Sequence, residues 1–271
     1  MQTSNEHFPS VFQAALLLLA NFLLQYLLSA LLYDFRHTMG LTQTQIQPLV
    51  MVLAYGILLV SVMHYCRMTY RDLLHPAKSS VYATLVLLVP PILALVPLVL
   101  ILDEVLLTVV YKLLPVSLWE EQAFARMATG DLPTVIAICV LAPVLEEMLF
   151  RGILLRAFLK HHQRWAAISY SALLFGAAHM NVYQFLLAFW VGLLLGWLFE
   201  RSRSLLPCIA LHAAINTAVT LLELSKDKPG ESLLDGLGVT TWLIALAAAG
   251  AGAIVLRRVL TRPARKAADT V

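Results

Sequence analysis

Charged residues are scarce in this chain of 271 amino acids, of which only 13% are Asp, Glu, Lys or Arg. Soluble globular domains carry about 25%. Hydrophobic residues make up 60% of the sequence, and the mean hydropathy is +0.80. This balance excludes an ordinary soluble domain and predicts an integral membrane protein with several spans.

Cysteine is also rare, with only Cys66, Cys139 and Cys208 in the chain. An odd count, with two of the three inside apolar runs, argues against a disulfide framework. No CxxC or CxxH pair suggests a zinc site built on thiolates. A basic patch interleaved with aromatic residues is missing too, so nothing supports a nucleic-acid partner and none is expected.

Long apolar runs, in contrast, are abundant, and a membrane-spanning helix needs about 20 such residues. Eight candidate spans lie at 11–33, 47–66, 80–102, 134–159, 165–180, 182–199, 205–223 and 239–257. Pro90, Pro91 and Pro97 are expected to bend the third span. The fold class is therefore all-α, a polytopic membrane protein of about eight transmembrane helices. The first run is too long for a cleaved signal peptide and is interpreted as a retained anchor.

The segment 104–131 differs from the spans, because charged residues recur along it. It is expected to lie on the membrane surface as one or two amphipathic helices. Three regions follow from the pattern: 1–133 with helices one to three and the interfacial segment, 134–224 as a core, and 225–271 with the last span and a basic tail. No soluble domain is visible among them.

The placement of Lys and Arg predicts the orientation of the spans. If the N-terminus is cytoplasmic, twelve of the 19 basic residues fall on the inner side and five on the outer side. Arg151 and Arg156 lie within the fourth span. Both termini are therefore expected in the cytoplasm, with the chain in a plasma membrane, that of a bacterium by preference.

Three charges stand together in the fourth span, within the sequence LEEMLFR at 145–151. A charged side chain at the centre of a bilayer costs at least ~2.5–3.5 kcal/mol on insertion scales. Glu147 and Arg151 are four residues apart, so they share a helix face and are expected to pair. Glu146 is rotated from Glu147 by about 100°. It is therefore predicted to be the free carboxylate.

Other spans also contain isolated polar residues. His179 ends the fifth span four residues after Phe175, and Asn216 follows His212 at the same spacing in the seventh. These helices can present Glu146, His179, His212 and Asn216 to a common centre. Two imidazoles and a carboxylate form a common zinc ligand set. Without metal, a Glu–His pair can instead activate water as a general base, with an amide stabilising an oxyanion.

The three motifs EExxxR at 146–151, FxxxH at 175–179 and HxxxN at 212–216 resemble those of the CPBP family. That family comprises type II CAAX prenyl proteases, the Ras-converting-enzyme group, and bacteriocin-processing or bacteriocin-immunity ("Abi") proteins. All three motifs stand in the family's order on separate spans, and the resemblance covers about 134–224, its catalytic core.

The resemblance implies an intramembrane protease, a probable metalloendopeptidase, that cleaves a membrane-associated or lipidated protein or peptide. Glu146 and His179 would activate the attacking water, whereas His212 and Asn216 would line the site and hold the oxyanion. Glu147, Arg151 and Phe175 would orient these groups. Zinc on Glu146, His179 and His212 is the expected cofactor, and activation of water without metal is the alternative.

Two other functions fit the same polar residues. A non-catalytic immunity protein or scaffold could use this fold without proteolysis. A proton-coupled transporter also places Glu, His and Arg within the membrane, but the sequence shows no recurring pair of broken helices.

The predicted spans place two of the site residues at different depths in the membrane, because His179 ends a span while Glu146 lies within one. The fifth span is therefore expected to break inside the protein at His179–Met180–Asn181.

Overall fold

The computed structural model describes residues 8–114, 116–120, 122, 130–225 and 238–261. Within these ranges the regular structure is entirely helical. Ten helices of five or more residues are α1 (Val11–Phe35), α2 (Gln43–Tyr65), α3 (Tyr70–Leu74), α4 (Val81–Leu93), α5 (Val96–Leu113), α6 (Leu132–His161), α7 (Arg164–Ala177), α8 (Val182–Ser202), α9 (Leu206–Leu224) and α10 (Val239–Leu260). This confirms the all-α class. The expected basic tail beyond Thr261 and residues 123–129 of the interfacial segment lie outside the described residues.

Six of these helices are long and apolar enough to cross a membrane, namely α1, α2, α6, α8, α9 and α10. A seventh span results if α4 and α5 count as one crossing, bent by 43°. The eight predicted spans are therefore not confirmed. The difference is α7, which has 14 residues, or about 21 Å of helix at 1.5 Å per residue. That length is below the roughly 30 Å of a bilayer's hydrocarbon core.

The predicted third span is bent at residues 94–95, between α4 and α5. Proline has no N–H to donate, so Pro90 and Pro91 each remove one hydrogen bond from α4. Pro97 lies in the first turn of α5, where no helical hydrogen bond is lost. Beyond the bend, α5 runs without interruption to Leu113. Residues 104–113, the first ten of the predicted interfacial segment, thus belong to a helix that starts at Val96. A separate interfacial helix is not confirmed.

Helix α6 contains two stretches of π-helix, Ala137–Leu141 and Met148–Leu155. In the first, the N–H of Ala142 donates to the carbonyl of Ala137, five residues earlier. The next bond in that register would come from residue 143, which is a proline without an N–H. The carbonyl of Ile138 is therefore deprived of that donor. The π-winding was not predicted, although Pro143 marks its position.

The second π-stretch forms the centre of the bundle, and every residue from Met148 to Leu155 is buried.

Helices α7 and α8 pack tightly together beside this π-stretch through Gly192 and Gly196. A Cβ atom on Gly192 would lie 3.0 Å from the Cα of Ala172, and one on Gly196 would lie 2.9 Å from a methyl carbon of Ile168. Small residues at this spacing let two helix backbones approach closely.

A short turn joins α7 to α8 and holds His179. Helix α7 ends at Ala177, Met180 has a left-handed backbone with φ of 57°, and the side chain of Asn181 caps the start of α8. The Asn181 side chain also donates to the His179 carbonyl at 3.0 Å. One helix thus ends and the next begins around the predicted break at His179–Met180–Asn181, whereas the depth of this break in a membrane stays a prediction.

Candidate active site

The Glu147–Arg151 pair expected from the i, i+4 spacing is formed inside α6. Arg151 Nη1 donates to Glu147 Oε1 at 2.6 Å, and both side chains are completely buried. Charges in such a position need both a counter-ion and further hydrogen bonds, because burial removes their hydration. The surroundings of the arginine supply part of these contacts, whereas Arg151 Nε and Glu147 Oε2 are buried without a hydrogen-bond partner.

The guanidinium of Arg151 connects three helices. Its Nη2 donates to the carbonyl of Gly192 on α8 at 3.2 Å. Its central carbon lies 4.4 Å from the ring centroid of Phe175 on α7, which is a cation–π contact. Arg151 thus orders α7 and α8 against α6 and also neutralises Glu147.

Glu147 has a second partner that the sequence did not predict. The Nδ1 atom of His212, on α9, lies 3.0 Å from the same Oε1 atom that accepts from Arg151. Since a carboxylate can only accept, Nδ1 carries the proton in this contact. In neutral His212 the lone pair is then on Nε2. Glu147 therefore fixes the orientation of this imidazole, much as a carboxylate orients the histidine of a catalytic triad.

The Nε2 atom of His212 faces Glu146. It lies 3.8 Å from Glu146 Oε2, which is beyond a direct hydrogen bond but within the range of an ion pair. The Glu146 side chain is 18% exposed, whereas that of Glu147 is completely buried. The two adjacent glutamates therefore differ as predicted, since Glu147 is held in the Arg151 pair and Glu146 is the accessible carboxylate.

Phe175 lies against both histidines. Its ring centroid is 5.2 Å from that of His179 and 5.6 Å from that of His212, with the planes nearly perpendicular in each case. The Nδ1 atom of His179 is 3.0 Å from the carbonyl of Phe175. A carbonyl only accepts, so this contact places a proton on Nδ1 and leaves Nε2 of neutral His179 as the proton acceptor.

Asn216 makes a contact that gives it a structural role. Its Nδ2 atom donates to the carbonyl of Ile138 at 2.9 Å. This is the carbonyl that loses its next helical donor at Pro143, so the amide satisfies a backbone group that the π-stretch leaves open. The second N–H of the same amide remains for another acceptor. His212 and Asn216, on one face of α9, thus both contact α6.

Two further polar residues adjoin the site and were missed by the sequence analysis. Asn21 on α1 is 2% exposed, and its side chain lies beside the Tyr55 hydroxyl on α2. Tyr55 in turn interacts electrostatically with Glu146. Asn21 could have been found by the criterion that singled out Glu146, since it is a polar residue inside an apolar run. No feature of the sequence marked Tyr55 as a residue near the site.

The three predicted zinc ligands are not arranged as a metal-binding site. Among the described residues no group of three His, Cys, Asp or Glu side chains could hold a metal ion. The Nδ1 atoms of His179 and His212 face Phe175 and Glu147, so only their Nε2 atoms remain for a ligand. The zinc site on Glu146, His179 and His212 was thus not found in this arrangement and stays a prediction.

Comparison with known proteins supports the family resemblance. Residues 128–218 match the family model "Type II CAAX prenyl endopeptidase Rce1-like". The segment contains all three motifs and the helices that bring them together. The match to this segment supports the CAAX-protease resemblance that the motifs predicted.

One relative among the curated proteins is an Escherichia coli protein described as "Uncharacterized 24.3 kDa protein". It is 37% identical over 111 residues, which are 38% of this chain and 51% of the relative. The chain spans about half the length of this relative, whose description states no activity. No solved structure gives a significant match.

We expect Arg151→Met to destabilise the protein by about 3–5 kcal/mol, because the buried Glu147 loses its counter-ion. Unfolding of the purified protein in mixed micelles measures the change. Arg258→Met, on an exposed position of α10, is the matched control and should unfold like the parent. Equal stability of the two variants would show that the buried pair contributes little.

Because Asn216 donates to the Ile138 carbonyl, we expect Asn216→Leu to lower the free energy of unfolding by about 1–3 kcal/mol. This is the usual range for a buried polar group left without a partner. Pro143→Ala restores a backbone N–H beside the same carbonyl, so Asn216→Leu should cost less in that background. A double-mutant cycle on unfolding free energies measures this coupling. Thr217→Leu, at an exposed position next along α9, controls for the apolar substitution. Strictly additive effects would contradict the role assigned to Asn216.

Proposed function

We propose that this chain is an intramembrane endopeptidase of the CAAX-protease type, which hydrolyses a peptide bond of a membrane-associated protein or peptide. The observation that carries the proposal is the difference between two neighbouring glutamates. Glu147 is buried in a network with Arg151 and His212, while Glu146 beside it stays partly exposed. The family match of residues 128–218 supports the same reaction.

In the proposed reaction, Glu146 and His179 activate water. Each offers an acceptor for its proton, the carboxylate of Glu146 and the Nε2 atom of His179. The water oxygen then attacks the scissile carbonyl carbon and forms a tetrahedral intermediate. The proton taken from water passes to the leaving amine as the C–N bond breaks, which yields a carboxylate and an amine.

His212 and Asn216 are suited to stabilise the oxyanion of that intermediate. Protonated His212 would donate from Nε2, and Glu147 at 3.0 Å from Nδ1 would stabilise the resulting imidazolium. Asn216 would donate through the N–H that does not bond to Ile138. Phe175 and Arg151 would hold the two imidazoles in place through ring contacts and the cation–π contact.

Glu146→Gln should abolish cleavage and leave the fold intact, because the amide cannot take a proton but has nearly the same shape. His179→Ala should also abolish it. The measurement compares membrane proteomes of cells that express the parent or a variant, and counts peptides whose new terminus depends on the parent. Glu200→Gln, the same change outside the site, is the control and should retain the cleavage.

Two outcomes would count against the proposal. Undiminished cleavage by folded Glu146→Gln protein would exclude the assigned base. A protective or scaffolding effect in cells that survives Glu146→Gln would select the non-catalytic immunity or scaffold function instead. The substrate class within the proposal, CAAX-type or bacteriocin-leader processing, follows from the sequences around the new termini.

Zinc at Glu146, His179 and His212 is proposed as an open alternative to activation by side chains alone, and no step above depends on it. When bound, zinc would polarise the carbonyl and the attacking water. Elemental analysis of the purified protein tests it, with about one zinc per chain expected and a loss in His212→Ala. Zinc-free protein whose cleavage resists chelators would exclude the metal.

A further inference from the structure

A cavity lies away from the three motifs, where the last turns of α8 and α10 meet the first turn of α5. Its volume is about 430 Å³, and it is partly open. Its walls are mostly apolar, with Leu98 and Val99 from α5, Leu194 and Trp197 from α8, and Leu256 from α10. None of these residues belongs to the candidate active site.

Two arginines also line this cavity. Arg201 stands in the last turn of α8 and Arg257 in the last turn of α10. Both helices contribute their final turns, so the two arginines border the apolar space near the same end of the bundle. The cavity therefore combines a hydrocarbon-like interior with a cationic end.

The cationic end is only partly neutralised within the protein. Arg201 Nε lies 3.3 Å from Glu200 Oε2, but the same oxygen lies 3.0 Å from Arg164 Nε. One carboxylate thus serves two arginines. In the described part of the chain no ion pair involves Arg257. An anion at this end would complete the charge balance.

We propose that this cavity binds an anionic glycerophospholipid, with an acyl chain between α5, α8 and α10 and the phosphate between Arg201 and Arg257. The cavity is partly open, and the exposed apolar residues Ile254 and Val255 of α10 place the bilayer next to this helix. Basic pockets between transmembrane helices are suited to anionic headgroups. A free inorganic anion would use the arginines but gain nothing from the apolar walls.

The lipid would join two parts of the molecule. Helix α10 already packs on the bend between α4 and α5, where a Cβ on Gly252 would lie 2.5 Å from the carbonyl of Pro91. Helix α8, in contrast, carries the Gly192 carbonyl that holds Arg151. A lipid between Arg201 and Arg257 links the end of α10 to α8, so it stabilises the bundle that supports the site.

The test uses the purified full chain in nanodiscs of phosphatidylcholine, with titrated phosphatidylglycerol as the probe. Native mass spectrometry counts bound phosphatidylglycerol, and thermal unfolding reports the stabilisation. We expect the double variant Arg201→Gln/Arg257→Gln to bind it roughly 30-fold more weakly, at about 1 kcal/mol for each arginine near a lipid surface. Arg258→Gln removes the same type of charge from the same turn of α10 outside the cavity, and should bind like the parent.

A second variant tests the acyl chain separately from the charge. Ala253→Phe fills the apolar space and leaves both arginines, so it should also lose the bound phosphatidylglycerol. Equal weakening by Arg258→Gln and by the double variant would show unspecific attraction and overturn the proposal. Stabilisation of the parent by inorganic phosphate alone, to the same extent as by the lipid, would overturn it as well, because the site would then bind a free anion.

Discussion

Burial of the Glu147 carboxylate is the constraint on which the centre of this bundle depends. A charge without water must be neutralised and hydrogen-bonded, or the site unfolds or takes up a proton. Arg151 and His212 share one oxygen of this carboxylate. Arg151 extends the network to the Gly192 carbonyl and the Phe175 ring. A single buried anion thus fixes the relative positions of four helices, α6, α7, α8 and α9.

The same network explains why two adjacent glutamates can serve different purposes. The i, i+4 spacing was enough to predict the Glu147–Arg151 pair, since it depends only on the geometry of one helix. The contact of His212 with Glu147 could not be predicted in this way. It depends on the rotation of α9 against α6, and the π-winding of α6 changes the rotation per residue from the α-helical value.

Apolar runs identified most of the spans, because the hydrophobic requirement of a bilayer acts on each segment alone. They did not reveal where a span bends or stops short. The bend between α4 and α5 and the continuation to Leu113 depend on local hydrogen bonding at the prolines. The Asn216–Ile138 contact is tertiary, yet Pro143 was a visible signal that one carbonyl of α6 would need a donor from elsewhere.

The length of α7 has a consequence for how water reaches the site. The helix begins beside the Arg164–Glu200 ion pair and ends after 14 residues, about 21 Å further along. A hydrocarbon core is roughly 30 Å thick, so α7 alone is too short to cross it. The side chains of Asn181 and Gln184 hydrogen-bond to each other at this turn. In the proposed hydrolysis water must reach His179, and the turn that ends α7 places these polar side chains next to that residue.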